Sequence, residues 1–239
     1  MKAISPLLGV HHLDAGYGKV RILRDVALEV REGEVLAIIG RNGVGKTTLM
    51  KTLIGAVGVQ RGEIRFDDQP IGGLRPHARA RLGIGYVPQG RGIYAKLSVA
   101  ENLYMGRRIG DGPITDAHYA RIHGFFPILR ERRAQMAGSM SGGQQQQLAL
   151  GRALLGKPRL LLLDEPSEGI QPNIVHDMGV LVRRLSRQDR MAVIVVEQNL
   201  DLIRLMADRC LVIDHGEVIA ELDPGRLADP GLASRYLAI

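Results

Sequence analysis

The stretch of sequence that decides the fold is Gly40-Arg41-Asn42-Gly43-Val44-Gly45-Lys46-Thr47-Thr48, in a chain of 239 residues. It follows the apolar run 35–39 and leads into the helix-like run 49–53, so the order is strand, glycine-rich loop, helix. The spacing matches G-x-x-x-x-G-K-[ST], a P-loop in which backbone N–H groups form a nest for phosphate oxygens. The helix that begins after the loop adds partial positive charge. The stretch therefore predicts a binding site for a nucleoside triphosphate.

Two side chains of this loop are candidates for contacts with the triphosphate. Lys46 can reach the terminal phosphates, and the hydroxyl of Thr47 can hold Mg²⁺. The alternative is a glycine turn that happens to precede a lysine, and the strand before it and the helix after it argue against that alternative. The loop predicts what the chain binds, but not what the binding is used for.

Length and composition indicate one large domain, or one domain with an inserted lobe. Apolar residues make up 45% of the chain, aromatic residues only 4%, and tryptophan is absent, so the core must be aliphatic. Such a core suits buried parallel strands between helices. The net charge of +7 favours an acidic partner: a nucleotide, a nucleic acid or anionic lipid headgroups. Because the arginines are scattered and the basic cluster 130–133 is short, we expect a solvated basic surface and no nucleic-acid partner.

Cysteine use and hydropathy limit the class of protein further. Cys210 is the only cysteine and lies in an apolar run, so we expect a small core residue and not a nucleophile. No apolar run approaches the roughly 18 residues that are needed to span a bilayer, and residues 1–9 carry no signal-peptide pattern. We therefore expect a soluble, cytoplasmic chain.

The apolar runs predict an α/β fold with a mainly parallel sheet, because continuous apolar strands alternate with helical stretches. Short strands are expected over 10–35, and a half-buried strand over 62–67. From about 90 to 157 the pattern is helical, so this segment should interrupt the sheet as a lobe. The continuous apolar runs are 35–39, 160–163, 193–196 and 211–213, and the segment 84–87 precedes Pro88-Gln89.

A second motif, LLLLDEP at 160–166, is a buried strand that ends in two carboxylates. In proteins with a P-loop, an acid at the end of the neighbouring strand helps to hold Mg²⁺, and Asp164 is placed for that task. Glu165 faces differently, so it can orient or deprotonate an attacking water molecule.

A third motif, Ser141-Gly142-Gly143-Gln144, opens an amphipathic helix. Ser141 is a good N-cap, and the two glycines leave backbone N–H groups uncovered at the positive end of the helix. The alternative is a capped helix without a ligand. Because one P-loop already satisfies a triphosphate within a monomer, a second nest makes most sense if it serves a nucleotide held by another copy.

These motifs together carry a resemblance to a known family. The order GRNGVGKTT, VPQG at 87–90, SGGQ and LLLLDEP is similar to that of ABC transporter ATP-binding subunits, from about residue 10 to 222. The resemblance implies a single ABC ATPase domain, with a RecA-like P-loop NTPase core that carries an antiparallel β subdomain and an inserted helical signature-motif lobe. The core would span about 8–89 and 158–222, the lobe about 90–157, and a C-terminal helical tail 223–239.

The resemblance also implies residue roles. ATP and Mg²⁺ would be the cofactors, and two ATP molecules would lie in a head-to-tail dimer, each between one subunit's P-loop and the other's SGGQ. Tyr17 would stack on adenine, and Gln89 would touch the metal and the attacking water. Glu165 would be the general base. The metal would lie beside Thr47, Gln89 and Asp164.

Two positions depart from the family pattern. Gln198 stands where most members have a histidine that grips the γ-phosphate, and a glutamine amide can donate to phosphate but cannot titrate. Gln171 stands where an aspartate is usual in the loop after the acid pair. We therefore expect Gln198 to contribute to catalysis without a histidine's proton equilibrium, and Glu165 to carry the base role.

VEQN, VPQGR and EPSEGIQP are similar to motifs in ATPases of hydrophobic-amino-acid-uptake importers, which take up branched-chain amino acids, urea or short amides. SGGQQQQLAL and EGIQP favour the urea and amide branch. The implied partners are two membrane permease subunits, a second ABC ATPase subunit that is identical or different, and, indirectly, an extracytoplasmic solute-binding protein. The implied location is peripheral, on the cytoplasmic face of the inner membrane.

The alternative function is a soluble ABC ATPase of the repair, translation or iron–sulfur assembly type. Repair members carry a long coiled coil before SGGQ, whereas only about 95 residues without heptads separate Lys46 from Ser141. Translation members carry two such domains in one chain. Transport is therefore the favoured interpretation, and import rests on the resemblance.

Overall fold

The computed structural model describes residues 5–108, 110, 112–228 and 231, which form two β-sheets with helices packed around them. The smaller sheet is antiparallel, with the order β2-β1-β4-β5. Its strands are β1 (Leu8–Tyr17), β2 (Val20–Val30), β4 (Val59–Phe66) and β5 (Gln69–Pro70). The larger sheet contains β3 (Val35–Ile39), β6 (Ile84–Val87), β7 (Leu160–Asp164), β8 (Ala192–Val196), β9 (Arg209–Asp214) and β10 (Glu217–Leu222).

The larger sheet has the order β10-β9-β3-β8-β7-β6, and only the β10–β9 pair is antiparallel. This confirms the predicted mainly parallel sheet. Its central strands are buried on both faces, because alternate residues point to opposite sides. In β3, Ala37 and Ile39 face one core cluster, while Leu36 and Ile38 face the other. The carboxyl ends of β3, β7 and β8 lie at one edge, so the loops that follow them meet there.

In the part of the chain that the structure describes, eight α-helices connect the strands. Helices α3 to α6 occupy the predicted lobe, and their buried residues Ile122 and Leu148 belong to the same core cluster as Val193 of β8. None of the helices in the described ranges is long and apolar enough to cross a membrane. The helices are α1 (Lys46–Leu53), α2 (Pro76–Arg81), α3 (Val99–Met105), α4 (Asp116–Phe125), α5 (Pro127–Glu131), α6 (Gly142–Leu155), α7 (Pro172–Asp189) and α8 (Leu200–Met206).

The amino-terminal strands differ from the prediction of short strands over 10–35. Strands β1 and β2 are continuous, with 10 and 11 residues. Their pairing shifts register between Val10 and Leu13, and His12 and Asp25 have φ of +48° and +49°. Such bulges interrupt the alternation of apolar and polar residues, so each long strand has the sequence pattern of shorter pieces.

The predicted C-terminal helical tail, 223–239, is described only in part. Pro224–Ala228 form a 3₁₀ helix. Apart from Gly231, the tail beyond this helix lies outside the described residues.

Candidate functional site

The P-loop joins β3 to α1 through glycines in conformations that suit glycine alone. Gly40, Gly43 and Gly45 have φ of +155°, +81° and +114°. A Cβ atom on Gly40 would lie 2.2 Å from the carbonyl oxygen of Ile213, so no larger residue fits there. Gly45 is the N-cap of α1 and supplies no side-chain cap, and the first turn carries no acidic residue. The backbone N–H groups at this helix start are therefore free of a side-chain cap, which suits the predicted binding of an anion.

Lys46 is buried within the loop that it follows. Its ammonium donates hydrogen bonds to the carbonyl oxygens of Gly40 and Arg41, at 2.7 and 2.8 Å. Burial lowers the pKa of Lys46, while the carboxylates of Glu165 and Asp164 act in the opposite direction. The ammonium of Lys46 thus lies against the backbone of the P-loop, with two carbonyl oxygens as its partners.

Asp164 ends β7 beside the start of α1. Its carboxylate accepts hydrogen bonds from the hydroxyls of Thr47, at 3.3 Å, and Tyr86, at 3.2 Å. Burial raises the pKa of Asp164, and both hydroxyl bonds oppose that rise. Within the described ranges, no group of three or more His, Cys, Asp or Glu side chains is placed to hold a metal. The hydroxyl and carboxylate oxygens of Thr47 and Asp164 nevertheless suit Mg²⁺, which keeps waters and phosphate oxygens as its other ligands.

Glu165 turns away from the strand with φ of +48°, and its N–H donates to the carbonyl of Val196. Two amides from different loops hold its side chain. Gln89, after β6, donates to Oε2 at 3.1 Å, and Gln198, after β8, donates to Oε1 at 3.1 Å. The amide of Gln198 also donates to Oδ1 of Asn42 in the P-loop at 2.7 Å. The structure therefore brings together Gln89, Glu165 and Gln198, which the sequence proposed as catalytic.

A cavity of about 440 Å³ lies over the P-loop. Tyr17, half exposed at the end of β1, lines it together with the loop and the acid pair. Two lining residues, Ile22 and Glu168, are absent from the sequence prediction. Only Glu168 has a sequence signal, an acid three residues after Glu165, and it accepts a second bond from Gln89 at 3.1 Å. The lining residues are Tyr17, Ile22, Asn42, Gly43, Gly45, Lys46, Thr47, Thr48, Gln89, Glu165 and Glu168.

The SGGQ motif lies at the start of α6 and does not line this cavity. Ser141 caps the helix by accepting from the N–H of Gln144 at 3.4 Å, and the side chain of Gln144 accepts from the N–H of Ser141 at 3.1 Å. Gly143 is buried, and a Cβ atom there would lie 2.3 Å from Cδ1 of Ile174 in α7. Gly143 therefore lets the two helices approach closely, in addition to any role in ligand binding.

The region after β8 contains a buried acid that the sequence analysis did not single out. Glu197 is 3% exposed and accepts hydrogen bonds from the backbone N–H groups of Ser167, Gln198 and Asn199. It ties the segment after β7 to the segment after β8. The backbone of Gln198 is therefore held close to the acid pair. Gln171, the other departure from the family pattern, is the N-cap of α7 and makes no side-chain cap bond.

Comparisons with known proteins point to one family. The model of the ABC transporter family matches residues 23–168. The chain is 40% identical over 97% of its length to the high-affinity branched-chain amino acid transport ATP-binding protein BraG of Pseudomonas aeruginosa, and covers 99% of that protein. It is 33% identical over 91% of its length to the lipopolysaccharide export ATP-binding protein LptB of Escherichia coli, and covers 90% of it.

Solved structures show the same fold. The crystal structure of a nucleotide-free ATP-binding cassette from an ABC transporter matches with a TM-score of 0.81 and 27% identity, over 95% of this chain and 96% of that one. The ADP conformation of the cassette MJ1267 matches with the same TM-score and identity, over 96% and 97%. The predicted P-loop core with an antiparallel sheet and a helical lobe is confirmed. Since the family model covers more than half of the chain and BraG aligns over almost all of it, this chain belongs to the ABC transporter family and is one of its ATPases.

Proposed function

We propose that this chain powers the import of branched-chain amino acids through separate membrane permease subunits by hydrolysing ATP. The position of Glu165 supports hydrolysis, because both of its oxygens accept from neutral amides beside the P-loop cavity. A carboxylate held by neutral donors can orient a water molecule and take its proton. The names of BraG and of LivF from Archaeoglobus fulgidus, which is 32% identical over 86% of this chain, support import of branched-chain amino acids.

The nucleotide would use residues from three loops. Phosphate oxygens would replace the carbonyl partners of Lys46 and meet the N–H groups of the P-loop, while adenine would stack on Tyr17. Thr47, Gln89 and Asp164 would hold Mg²⁺, which supplies positive charge at the β- and γ-phosphates when bound. Glu165 would take the proton of the attacking water. Gln89 and Gln198 would orient that water and the γ-phosphate through their amides.

A complete site would need a second ATPase subunit, either another copy or a related chain. The SGGQ motif does not line the P-loop cavity of its own chain, which supports a nucleotide shared between subunits. Ser141, Gly142, Gly143 and Gln144 would then contact the nucleotide bound by the partner subunit. Two permease subunits would receive the dimer at the cytoplasmic face of the inner membrane. A solute-binding protein on the opposite side would deliver the solute.

The variant Glu165→Gln tests the catalytic part of this proposal. Because the general base is lost while the nucleotide contacts remain, turnover should fall roughly 10²-fold or more. ATP should still bind, and it should hold the variant as a dimer in size-exclusion chromatography. Glu217→Gln, an exposed change on β10, should keep wild-type turnover. An active Glu165→Gln variant would remove the base assignment.

Transport assays test the solute. Proteoliposomes that contain the permease subunits and this chain, supplied with the solute-binding protein, should take up labelled leucine when ATP is provided. Labelled urea and acetamide are the competing solutes that the sequence resemblance left open. Uptake of urea or acetamide without leucine would replace the branched-chain assignment. Absence of ATP-dependent uptake of all three solutes would contradict the import proposal.

A further inference from the structure

The turn that follows Gln89 has an unusual backbone. Gly90, Arg91 and Gly92 have φ of +74°, +71° and +58°, so three consecutive residues adopt the left-handed region. Glycine adopts this region readily, but an arginine there is disfavoured. Arg91 therefore occupies a position that backbone preference would give to a third glycine. The contacts of the Arg91 side chain indicate why an arginine is present there.

One side of the Arg91 guanidinium contacts the start of α6. Its Nη1 donates to Oε1 of Gln145 at 3.2 Å. The side chain of Gln145 in turn donates to the carbonyl of Met140 at 3.1 Å, and the N–H of Gln145 donates to the carbonyl of Ser141. Arg91 is thus linked through one glutamine to the residues that begin the SGGQ motif.

The other side of the guanidinium contacts the segment after β7. Its Nη2 lies 3.5 Å from the carbonyl oxygen of Glu168. A Cβ atom on Gly142 would come within 3.0 Å of this nitrogen, and one on Gly169 within 3.7 Å. The guanidinium therefore fills the space between the SGGQ helix start and the loop that carries the acid pair. The absent side chain of Gly142 leaves room for it.

A second arginine fixes the far end of the same turn. Arg152 of α6 donates from Nη2 to the carbonyl of Gly92 at 2.8 Å, and its guanidinium lies 5.2 Å from the ring centre of Tyr94. The turn is therefore attached to α6 at two points, through Arg91 and through Arg152. A displacement of α6 relative to the loop that carries the acid pair must then pull on this turn, and so on Gln89, which directly precedes it.

We propose that Arg91 is a positioning residue that couples the two nucleotide sites of the dimer. It links Gln89, which serves the nucleotide of its own chain, to Ser141, which serves the nucleotide of the partner subunit. This inference rests on the shared site described under the proposed function. It assigns Arg91 to the assembly of that site and not to the binding of ATP by a single chain.

Arg91→Ala tests the coupling in the purified full chain. The ATP affinity of the monomer, measured with a fluorescent ATP analogue, should stay within about twofold, because Arg91 does not line the P-loop cavity. The turnover number kcat should fall about tenfold with little change in KM, which is the signature of a step after binding. In the Glu165→Gln background, Arg91→Ala should weaken ATP-driven dimerisation by a similar factor. Arg91→Lys should restore little, because an ammonium cannot bridge both partners as a planar fork does.

The control is Arg133→Ala, an exposed arginine near α5 that removes the same charge and should leave every value unchanged. Wild-type kcat in Arg91→Ala would overturn the inference, and so would a loss of monomer ATP affinity as large as the loss of kcat. If Arg91→Lys has wild-type kcat and dimerisation, the positive charge alone is sufficient, and the inference that the guanidinium bridges two partners is wrong. If Glu165→Gln itself stays monomeric with ATP, the proposal of a nucleotide site shared between two subunits is wrong, and the Arg91 inference is wrong with it. If Glu165→Gln dimerises and its Arg91→Ala derivative dimerises equally well, only the Arg91 inference fails.

Discussion

The smallest informative unit of the site is Gln198, whose one amide nitrogen donates to both Glu165 and Asn42. Gln198→Ala removes this one donor group but leaves the base, so turnover should fall about tenfold, or about 1.4 kcal/mol in the activation free energy. That loss should be smaller than the loss in Glu165→Gln. Steady-state ATPase rates check this, and Gln69→Ala, an exposed glutamine of β5, is the matched control.

Gln198→His should remain active and should add a pH dependence. An imidazole titrates near pH 6.5, whereas the amide of the wild type does not titrate. The rate of Gln198→His relative to wild type should therefore change between roughly pH 5.5 and 7.5. If both Gln198 variants keep wild-type rates and an unchanged pH profile, Gln198 does not act on the nucleotide.

Asp164 illustrates a conflict between stability and function at one residue. Burial raises the pKa of the Asp164 carboxyl in the folded state. As pH rises above the ordinary pKa value of 3.8, the unfolded chain loses this proton before the folded chain does, so the folded state loses stability. Asp164→Asn removes this penalty, so the variant should have a higher Tm than wild type at pH 7 and the same Tm near pH 3.5. Each kcal/mol regained should raise Tm by roughly 2–4 °C in a chain of this size.

The same Asp164→Asn variant should lose most of its ATPase activity, because a neutral amide is a poor ligand for Mg²⁺. Thermal melts at several pH values, with Asp177→Asn as an exposed control, measure the stability effect. A lower Tm for Asp164→Asn at pH 7 would show that the contacts of the carboxylate with Thr47 and Tyr86, together with its attraction to Lys46, outweigh the burial of the charge.

At the scale of single elements, two described helix starts of the lobe have a capping box that begins with a serine. Ser98 opens α3 and Ser141 opens α6. In each case the serine hydroxyl accepts from the backbone N–H of the residue three positions on, and the side chain of that residue accepts from the backbone N–H of the serine. Replacing either serine with alanine should destabilise the fold by about 0.5–2 kcal/mol. Thermal unfolding should therefore show similar losses for Ser98→Ala and Ser141→Ala.

Only one of these two serines is proposed to contact a nucleotide. Ser141→Ala should lower ATPase turnover beyond what its change in stability explains, while Ser98→Ala should keep wild-type turnover below its Tm. Equal turnover in the two variants would mean that Ser141 serves its helix alone.

Elements with simple periodicity were predictable from sequence, and elements whose shape depends on distant contacts were not. Continuous apolar runs indicated the parallel strands β3, β7, β8 and β9, because burial on both faces leaves no polar positions. The bulges near His12 and Asp25 break the alternation in β1 and β2, so those strands had the pattern of shorter ones. Spacing indicated the P-loop and the acid pair. The contacts of Arg91 with Gln145 and Glu168 follow from a left-handed backbone, which no periodicity encodes.

At the scale of the whole molecule, the separation of SGGQ from the P-loop cavity predicts complementation between two inactive variants. Lys46→Ala lacks a working P-loop but keeps its SGGQ helix start, and Ser141→Arg blocks that helix start but keeps its P-loop. Each variant alone should be nearly inactive, because every dimer that it forms has two defective sites. In a mixed head-to-tail dimer, the P-loop of Ser141→Arg meets the intact SGGQ of Lys46→Ala, so one of the two sites is complete.

Random pairing at equal concentrations makes half of the dimers mixed, so the mixture should recover up to about a quarter of wild-type turnover. ATPase rates of the mixture, compared with the separate variants at the same total concentration, measure this recovery. Mixing Lys46→Ala with Glu165→Gln is the control, since the complete P-loop then lacks its base and no site is restored. If the Lys46→Ala and Ser141→Arg mixture yields only the average of the two separate rates, SGGQ acts within its own chain and the shared nucleotide site is wrong.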